Sequence, residues 1–153
     1  MRKKIYNILS VEDNEPDFAL LNKALSRIEG MELKIKHISN GEIALNYIFK
    51  KGEFKDVPTP DLIILDINLP KISGIEILKA IKRSLNYKSI PVIMFSTSNL
   101  EEDIQKSYNA NANSYVIKSF DITTLSKKIF SMAEYWLKIS EIPNSDNLFI
   151  IEE

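Results

Sequence analysis

Six residues of this chain stand where they could do chemistry together: Glu12, Asp13, Asp66, Ser96, Thr97 and Lys118. Each set follows an apolar run: Ile5 to Val11 before Glu12-Asp13, Leu62-Ile63-Ile64-Leu65 before Asp66, Ile90 to Phe95 before Ser96-Thr97, and Tyr115-Val116-Ile117 before Lys118. Gathered in one pocket, three carboxylates repel one another and require a cation or partial protonation. Hard oxygen donors at a shallow site suit Mg²⁺, which keeps several waters and takes one or two carboxylates. The charges then balance, with three carboxylates against a divalent cation and the Lys118 ammonium. A site neutralised in this way can receive a phosphoryl group, whose spread negative charge the metal and the ammonium stabilise. Asp66 is the natural nucleophile, because attack by its carboxylate on phosphorus gives an aspartyl phosphate. Ser96 can donate a hydroxyl hydrogen bond to the new phosphoryl oxygens. Taken singly, these residues have plainer uses. Asp66 would be a helix cap or turn residue, Glu12-Asp13 a solvated turn and Lys118 a surface lysine. Their joint order along the chain is what points to chemistry.

The elements between them supply the means of gathering. Ile5 to Val11 reads as a buried strand. Glu15-Pro16-Asp17 opens a helix, with Pro in the first turn and acids at the positive end of the dipole. Phe18, Leu21, Leu25 and Ile28 form its stripe, and Gly30 stops it. Leu33, Ile35 and His37 belong to a short alternating strand, Asn40-Gly41 is a turn, and a second helix through Ile43 to Ile48 ends near Gly52. Residues 53–60 read as loop. The run Leu62 to Leu65 suits a strand covered on both faces. Ser73-x-x-Glu76 is a capping box for a third helix. After the strand Ile90 to Phe95, Asn99 with Glu102 caps a fourth helix. After Tyr115 to Ile117, Asp121 caps a long final helix that Pro143-Asn144 ends. Five alternations of strand and helix predict an α/β fold: a doubly wound, parallel five-stranded sheet of flavodoxin-like order 2-1-3-4-5, with an extended C-terminal helix. In such sheets the site lies at the carboxyl ends of the strands, near the switch between the first and the third.

Composition narrows the function classes. The chain has 153 residues, 44% hydrophobic and 27% charged, as expected of one globular domain. Its net charge of −1 argues against a surface built for DNA phosphates. It has no cysteine, so thiolate metal sites and Cys nucleophiles are out, and its single histidine, His37, makes a Ser-His-Asp triad unexpected. No apolar run approaches ~20 residues, so no membrane span is expected. The stretch from Ile5 to Ser10, after the basic Met1-Arg2-Lys3-Lys4, is too short and polar for a signal peptide, and the expected compartment is the cytoplasm.

The motifs Val11-Glu12-Asp13-Asn14, Leu65-Asp66-Ile67-Asn68-Leu69-Pro70 with Ser73-Gly74, Pro91-Val92-Ile93-Met94-Phe95-Ser96 and Tyr115-Val116-Ile117-Lys118 together resemble the receiver domain of two-component response regulators, over about residues 5 to 140. The resemblance implies that Asp66 accepts phosphate from a sensor histidine kinase. It implies that Asp13, Asp66 and the backbone carbonyl of Asn68 bind Mg²⁺, with Glu12 acting through metal-bound water. It places Lys118, Ser96 and Thr97 on the phosphoryl group, and Ser96 and Tyr115 at the switch positions. The face of the fourth helix, fifth strand and fifth helix would then be rebuilt for a downstream protein or phosphotransfer partner, or for a homodimer. Asn14-Glu15-Pro16-Asp17, Ser96-Thr97-Ser98, the stretch Ser107 to Tyr115, and Tyr135-Trp136-Leu137 followed by Pro143 are similar to single-domain regulators that pair with bacterial phytochrome kinases. On this reading residues 1–140 are the receiver and 141–153 a tail, with no output domain.

Two departures bear on the site. The family usually has Pro after the lysine, in a peptide bond that is commonly cis; here Ser119 follows, and a cis bond before a non-proline costs ~2.5–4 kcal/mol, so a trans bond is expected. That substitution bears on how closely Lys118 approaches Asp66. Asn111-Ala112-Asn113 replaces the family's Gly-Ala-Asp, and Asn tolerates the left-handed conformation a Gly would take. Two other readings compete. An aspartate-nucleophile phosphatase would need an acid two residues after the nucleophile, where Asn68 stands. A receiver-like adaptor would keep the fold without phosphorylation. His37 reads as structural. Tyr135 and Trp136 read as core packing or as a dimer or partner contact, residues 53–60 as a surface loop, and the apolar patch Leu148 to Ile151 as docking on the body or a second subunit, with a disordered tail as the alternative.

Overall fold

A computed structural model describes residues 5–143. The apolar runs form β1 (Ile5–Val11), β2 (Glu32–Ile38), β3 (Leu62–Leu65), β4 (Val92–Ser96) and β5 (Ser114–Ile117). Between and after them lie α1 (Glu15–Leu25), α2 (Gly41–Ile48), α3 (Gly74–Arg83), α4 (Glu101–Asn109) and α5 (Ile122–Glu134). Among the described residues the strands make one parallel sheet of order β2-β1-β3-β4-β5, as expected.

Alternation along the strands divides the core. Ile8, Ile64, Ile93 and Phe95 face α1 and α5, packing on Leu21, Leu25, Leu125 and Ile129. Leu9, Val11, Ile63, Leu65 and Met94 face the other way, onto Ala44, Ile48, Ile77, Leu78 and Ile81. Burial on both faces is why β3 and β4 carry continuous apolar runs rather than alternating ones. The edge strand β2 instead exposes Lys34 and Lys36, charges that discourage edge-to-edge pairing.

Helix starts follow side-chain chemistry with one exception. Asn14 accepts from the Asp17 N–H at 2.9 Å, Ser73 from Glu76 at 3.3 Å and Asp121 from Thr124 at 3.0 Å. Asn40, expected in a turn, is the cap of α2, accepting from the N–H groups of Glu42 and Ile43. The expected Asn99–Glu102 cap of α4 is not what forms. The N-cap is Leu100, without a side-chain bond. Ser98 intervenes instead, donating to Asp103 Oδ2 at 2.5 Å and accepting from the Leu100 N–H.

The ends of two helices and one connection also differ from expectation. α1 stops at Leu25 rather than at Gly30, because the Ser26 hydroxyl turns back to the Lys23 carbonyl at 2.6 Å and the next two amides tighten onto Ala24 and Leu25. Residues 53–60 are not featureless: a 3₁₀ turn at Gly52–Phe54 sets Phe54 edge-on to Tyr47 at 5.3 Å. The last helix is α only to Glu134, and Tyr135–Ile139 form a π turn closed by the Ser140 N–H on the Tyr135 carbonyl at 2.6 Å. Trp136 packs against the core there while Tyr135 is exposed. Asn111 does adopt the left-handed conformation, at φ 70°. The expectations for residues 1–4 and for the tail patch Leu148 to Ile151 lie outside the described residues.

The β3–α3 connection is tightly held. The Gly74 N–H donates to the Ile67 carbonyl at 2.8 Å, and a Cβ on Gly74 would overlap the Asp66 carbonyl oxygen. Lys71 in the same loop sits at φ 73°, left-handed backbone that costs a side chain roughly 1–2 kcal/mol. Gly74→Ala is therefore expected to lower unfolding free energy by about 2 kcal/mol or more in urea titration. Lys71→Gly should raise it by about 0.5–1 kcal/mol, the strain relief less the added freedom of the unfolded chain.

Candidate functional site

Backbone bonds that run one residue past the strands bring the predicted residues together. The Glu12 N–H donates to the Ile38 carbonyl at 3.0 Å, Asp66 to Val11 at 3.0 Å and Lys118 to Ser96 at 2.7 Å. Each pair extends the sheet ladder to its last rung, so the side chains beyond converge on one edge. Oxygens of Glu12, Asp13 and Asp66 lie within 4.8 Å of one another. Glu12 and Asp66 are buried and Asp13 is exposed, so the cluster opens to solvent through Asp13. Three hard oxygen donors, one on an accessible rim, fit a divalent cation such as Mg²⁺ that retains water.

Lys118 sits over this cluster, 5% exposed. Its ammonium donates to Glu12 Oε2 at 2.6 Å, Asp17 Oδ2 at 2.9 Å and Asp66 Oδ2 at 3.0 Å. The Phe95 ring lies 5.1 Å away. Every peptide bond among the described residues is trans, Lys118–Ser119 included, and the lysine still reaches the phosphoacceptor candidate. The other Asp66 oxygen accepts from the Ile67 N–H at 2.7 Å and more distantly from Asn68 at 3.4 Å. Burial lowers the affinity of Lys118 for its proton, but the bonds to Glu12 and Asp17 and the charges of Asp66 and Glu12 outweigh it and hold the group above its ordinary range. Burial, with the charge of Asp66, pushes Glu12 up to about 8 against the pull of Lys118.

Ser96 is fully buried, and its Oγ accepts from the Ser98 N–H at 3.2 Å. Tyr115 is half-buried and donates its hydroxyl to the Ser98 carbonyl at 2.9 Å. Burial, foremost, raises the pKa of that phenol. Thr97 and Asn68 are exposed at the rim, just past β4 and β3.

Three participants are not evident from the sequence. Asp17 reads there as a dipole acid at the start of α1, yet it is a third partner of Lys118. The sign of this is its spacing: one helical turn after Asn14, which is itself tied to Glu12 Oε1 at 3.1 Å. His37 is structural as expected, but in a specific way: its Nε2 meets the Glu12 carbonyl at 2.7 Å while the ring stacks on Phe18 at 3.8 Å. Ser98 links Ser96 to Tyr115, and nothing in its residue type marks it.

The sequence matches the response regulator receiver domain family over residues 8–130. It is 34% identical over 136 residues to the response regulator Rcp1 of Synechocystis sp. (strain ATCC 27184 / PCC 6803 / Kazusa), covering 89% of this chain and 92% of that protein. The fold superposes on the phosphorylated cyanobacterial phytochrome response regulator RcpA with a TM-score of 0.88 at 36% identity, over 91% of this chain and 99% of that one. It superposes equally, at 0.88 and 33% identity, on the Mn²⁺-bound form of Rcp1, again over 91% and 99%. With sequence and fold in agreement over most of its length, the chain belongs to the response regulator receiver domain family.

Proposed function

We propose that Asp66 is the phosphoacceptor, charged by a sensor histidine kinase, and that its phosphorylation resets a protein-binding surface. The observation that carries this reading is the buried Lys118 ammonium joining Glu12 and Asp66 beside a three-carboxylate cluster. A carboxylate oxygen of Asp66 forms the bond to phosphorus as the donor's N–P bond breaks, and the electron pair returns to the donor imidazole. Lys118 offers its ammonium, and Ser96 and Thr97 their hydroxyls, to the non-bridging oxygens. Glu12, Asp13, Asp66 and the Asn68 carbonyl would hold Mg²⁺, which when bound neutralises charge on the phosphoryl oxygens. Phe95 and the surrounding strand ends exclude water from the lysine side.

Ser96 and Tyr115 share Ser98, so a shift of the Ser96 hydroxyl toward a phosphoryl group loosens what holds Tyr115. The output surface in this reading is the α4–β5–α5 face, presented to a downstream protein, a phosphotransfer partner or a second copy. The likeness to a phytochrome response regulator supports a phytochrome-type kinase, and in this reading the phosphoryl transfer takes place in the cytoplasm. Among the described residues no helix is long and apolar enough to cross a membrane. Residues 1–140 make up the receiver. The protein acts as a signalling switch rather than by turnover. Asn68 stands where a phosphatase of this chemistry needs its acid.

Two measurements test the site. Incubated with Mg²⁺ and acetyl phosphate, the protein should gain one phosphoryl group by intact mass, and Asp66→Asn should gain none. Equal labelling of the variant would contradict the assignment, rapid multiple turnover would favour a phosphatase, and no labelling by any donor would favour the adaptor. The second concerns pH. Glu12 ordinarily titrates at 4.5 but at about 8 in the folded chain, so between these values the folded state keeps a proton that the unfolded state releases. The contribution is complete below the lower value and is lost as pH rises through the upper one. Metal-free protein should therefore lose melting temperature between about pH 5.5 and about pH 8, Glu12→Gln should lose less, and Mg²⁺ should offset the loss by binding the ionised form.

A further inference from the structure

Lys118 has three ammonium protons, and three different carboxylates hold them. Glu12 and Asp66 belong to the acidic cluster; Asp17 does not. Asp17 comes from the first turn of α1, placed by the Asn14 cap on its N–H. Its side chain is 19% exposed, against 4% for Glu12 and 9% for Asp66, so water replaces its bond to the lysine at the least cost. Phosphorylation weakens the Asp66 oxygens as acceptors and turns their ammonium proton toward the phosphoryl group; a second proton is free for it only when Glu12 or Asp17 yields.

Resting on the phosphoacceptor reading, we propose that Asp17 is a positioning residue that divides the charge of Lys118 between the resting and the phosphorylated site. In the resting site Asp17 draws the ammonium away from Glu12 and Asp66, leaving their oxygens freer for a cation. In the phosphorylated site it is the partner that lets go, and it competes with the phosphoryl oxygens for the same ammonium. Removing its charge has opposite consequences for the two ligands. The lysine settles on Glu12 and Asp66 and opposes a cation, yet it meets an anion without a competitor. The local field changes in the same two directions, because one negative charge fewer weakens cation binding and favours an anion.

The test uses Asp17→Asn, which keeps the side chain's shape, with Asp17→Ala beside it. Mn²⁺ affinity is read by paramagnetic resonance, and the affinity for beryllium fluoride, a phosphoryl mimic, by calorimetry at saturating Mn²⁺. Both variants should bind Mn²⁺ about three- to fivefold more weakly and beryllium fluoride more tightly by a similar factor, as suits a charge pair at a partly exposed site. A merely structural lesion would weaken both. Unchanged constants, or constants that weaken together, overturn the inference. A parent protein that binds no beryllium fluoride contradicts the phosphoacceptor reading instead, and the Mn²⁺ titration then decides the role of Asp17 by itself.

Discussion

The site rests on one buried cation. Lys118 is almost out of contact with water, and desolvating an ammonium costs several kcal/mol unless good partners compensate. Its partners are carboxylates from three separate segments: the end of β1, the first turn of α1 and the end of β3. Without the lysine the same carboxylates would have to take up a proton or bind a cation. Each side offsets the electrostatic cost of the other, so the sheet edge, the α1 cap and the β3–α3 loop together set the arrangement. That mutual requirement explains the close tolerances nearby. Gly74 has no room for a methyl group beside the Asp66 carbonyl, and Gly41 has none beside the Ile72 carbonyl of the same loop.

Rigidity is unevenly distributed around this centre. α3 buries Ile77, Leu78 and Ile81 against the sheet, and Lys82 ties its end to the carbonyls of Lys88 and Ile90 and to Asn113. α4 by contrast contributes Ser107 to the interior and exposes Tyr108, and its N-cap Leu100 is exposed too. Its start is held by the Ser98–Asp103 bond, and Asp103 in turn accepts the Ser107 hydroxyl through its backbone carbonyl. An element held by a few polar bonds and little apolar burial is the one that shifts at small cost. Ser98 also donates its N–H to Ser96 and accepts the Tyr115 hydroxyl at its carbonyl, so the loop bonded to Ser96 is the loop that secures α4. This gives a contiguous physical route from the strand ends to the outer face, through one residue.

Much of this is legible in the residues. Continuous apolar runs at β3 and β4 announce strands buried on both sides, and alternation of strand and helix leaves little choice of topology. Reading the residue after each run then collects Glu12, Asp13, Asp66, Ser96 and Lys118 at one edge. What stays hidden depends on side-chain reach rather than on chain order. Asp17 is an ordinary helix-start acid until the lysine extends to it from β5. His37 is an ordinary strand residue until its ring lies flat on Phe18 and its nitrogen meets Glu12. Asn99 is a good cap by type, yet the helix starts at Leu100 without a side-chain cap, and the side chain that reaches Asp103 is that of Ser98. The π turn after Glu134 likewise has no mark in residue type, since Tyr135 to Ile139 continue a helical pattern.

If Asp66 carries the phosphoryl group, the acyl phosphate formed there can be located by its own chemistry. An acyl phosphate is reduced by borohydride to the alcohol, so a phosphorylated aspartate becomes homoserine at its own position. After phosphorylation with acetyl phosphate and Mg²⁺, reduction with borohydride and peptide sequencing by mass spectrometry should find homoserine at position 66. Homoserine at position 13, the reduced form of Glu12 in its place, or an unmodified chain from a phosphorylated sample would contradict the assignment to Asp66.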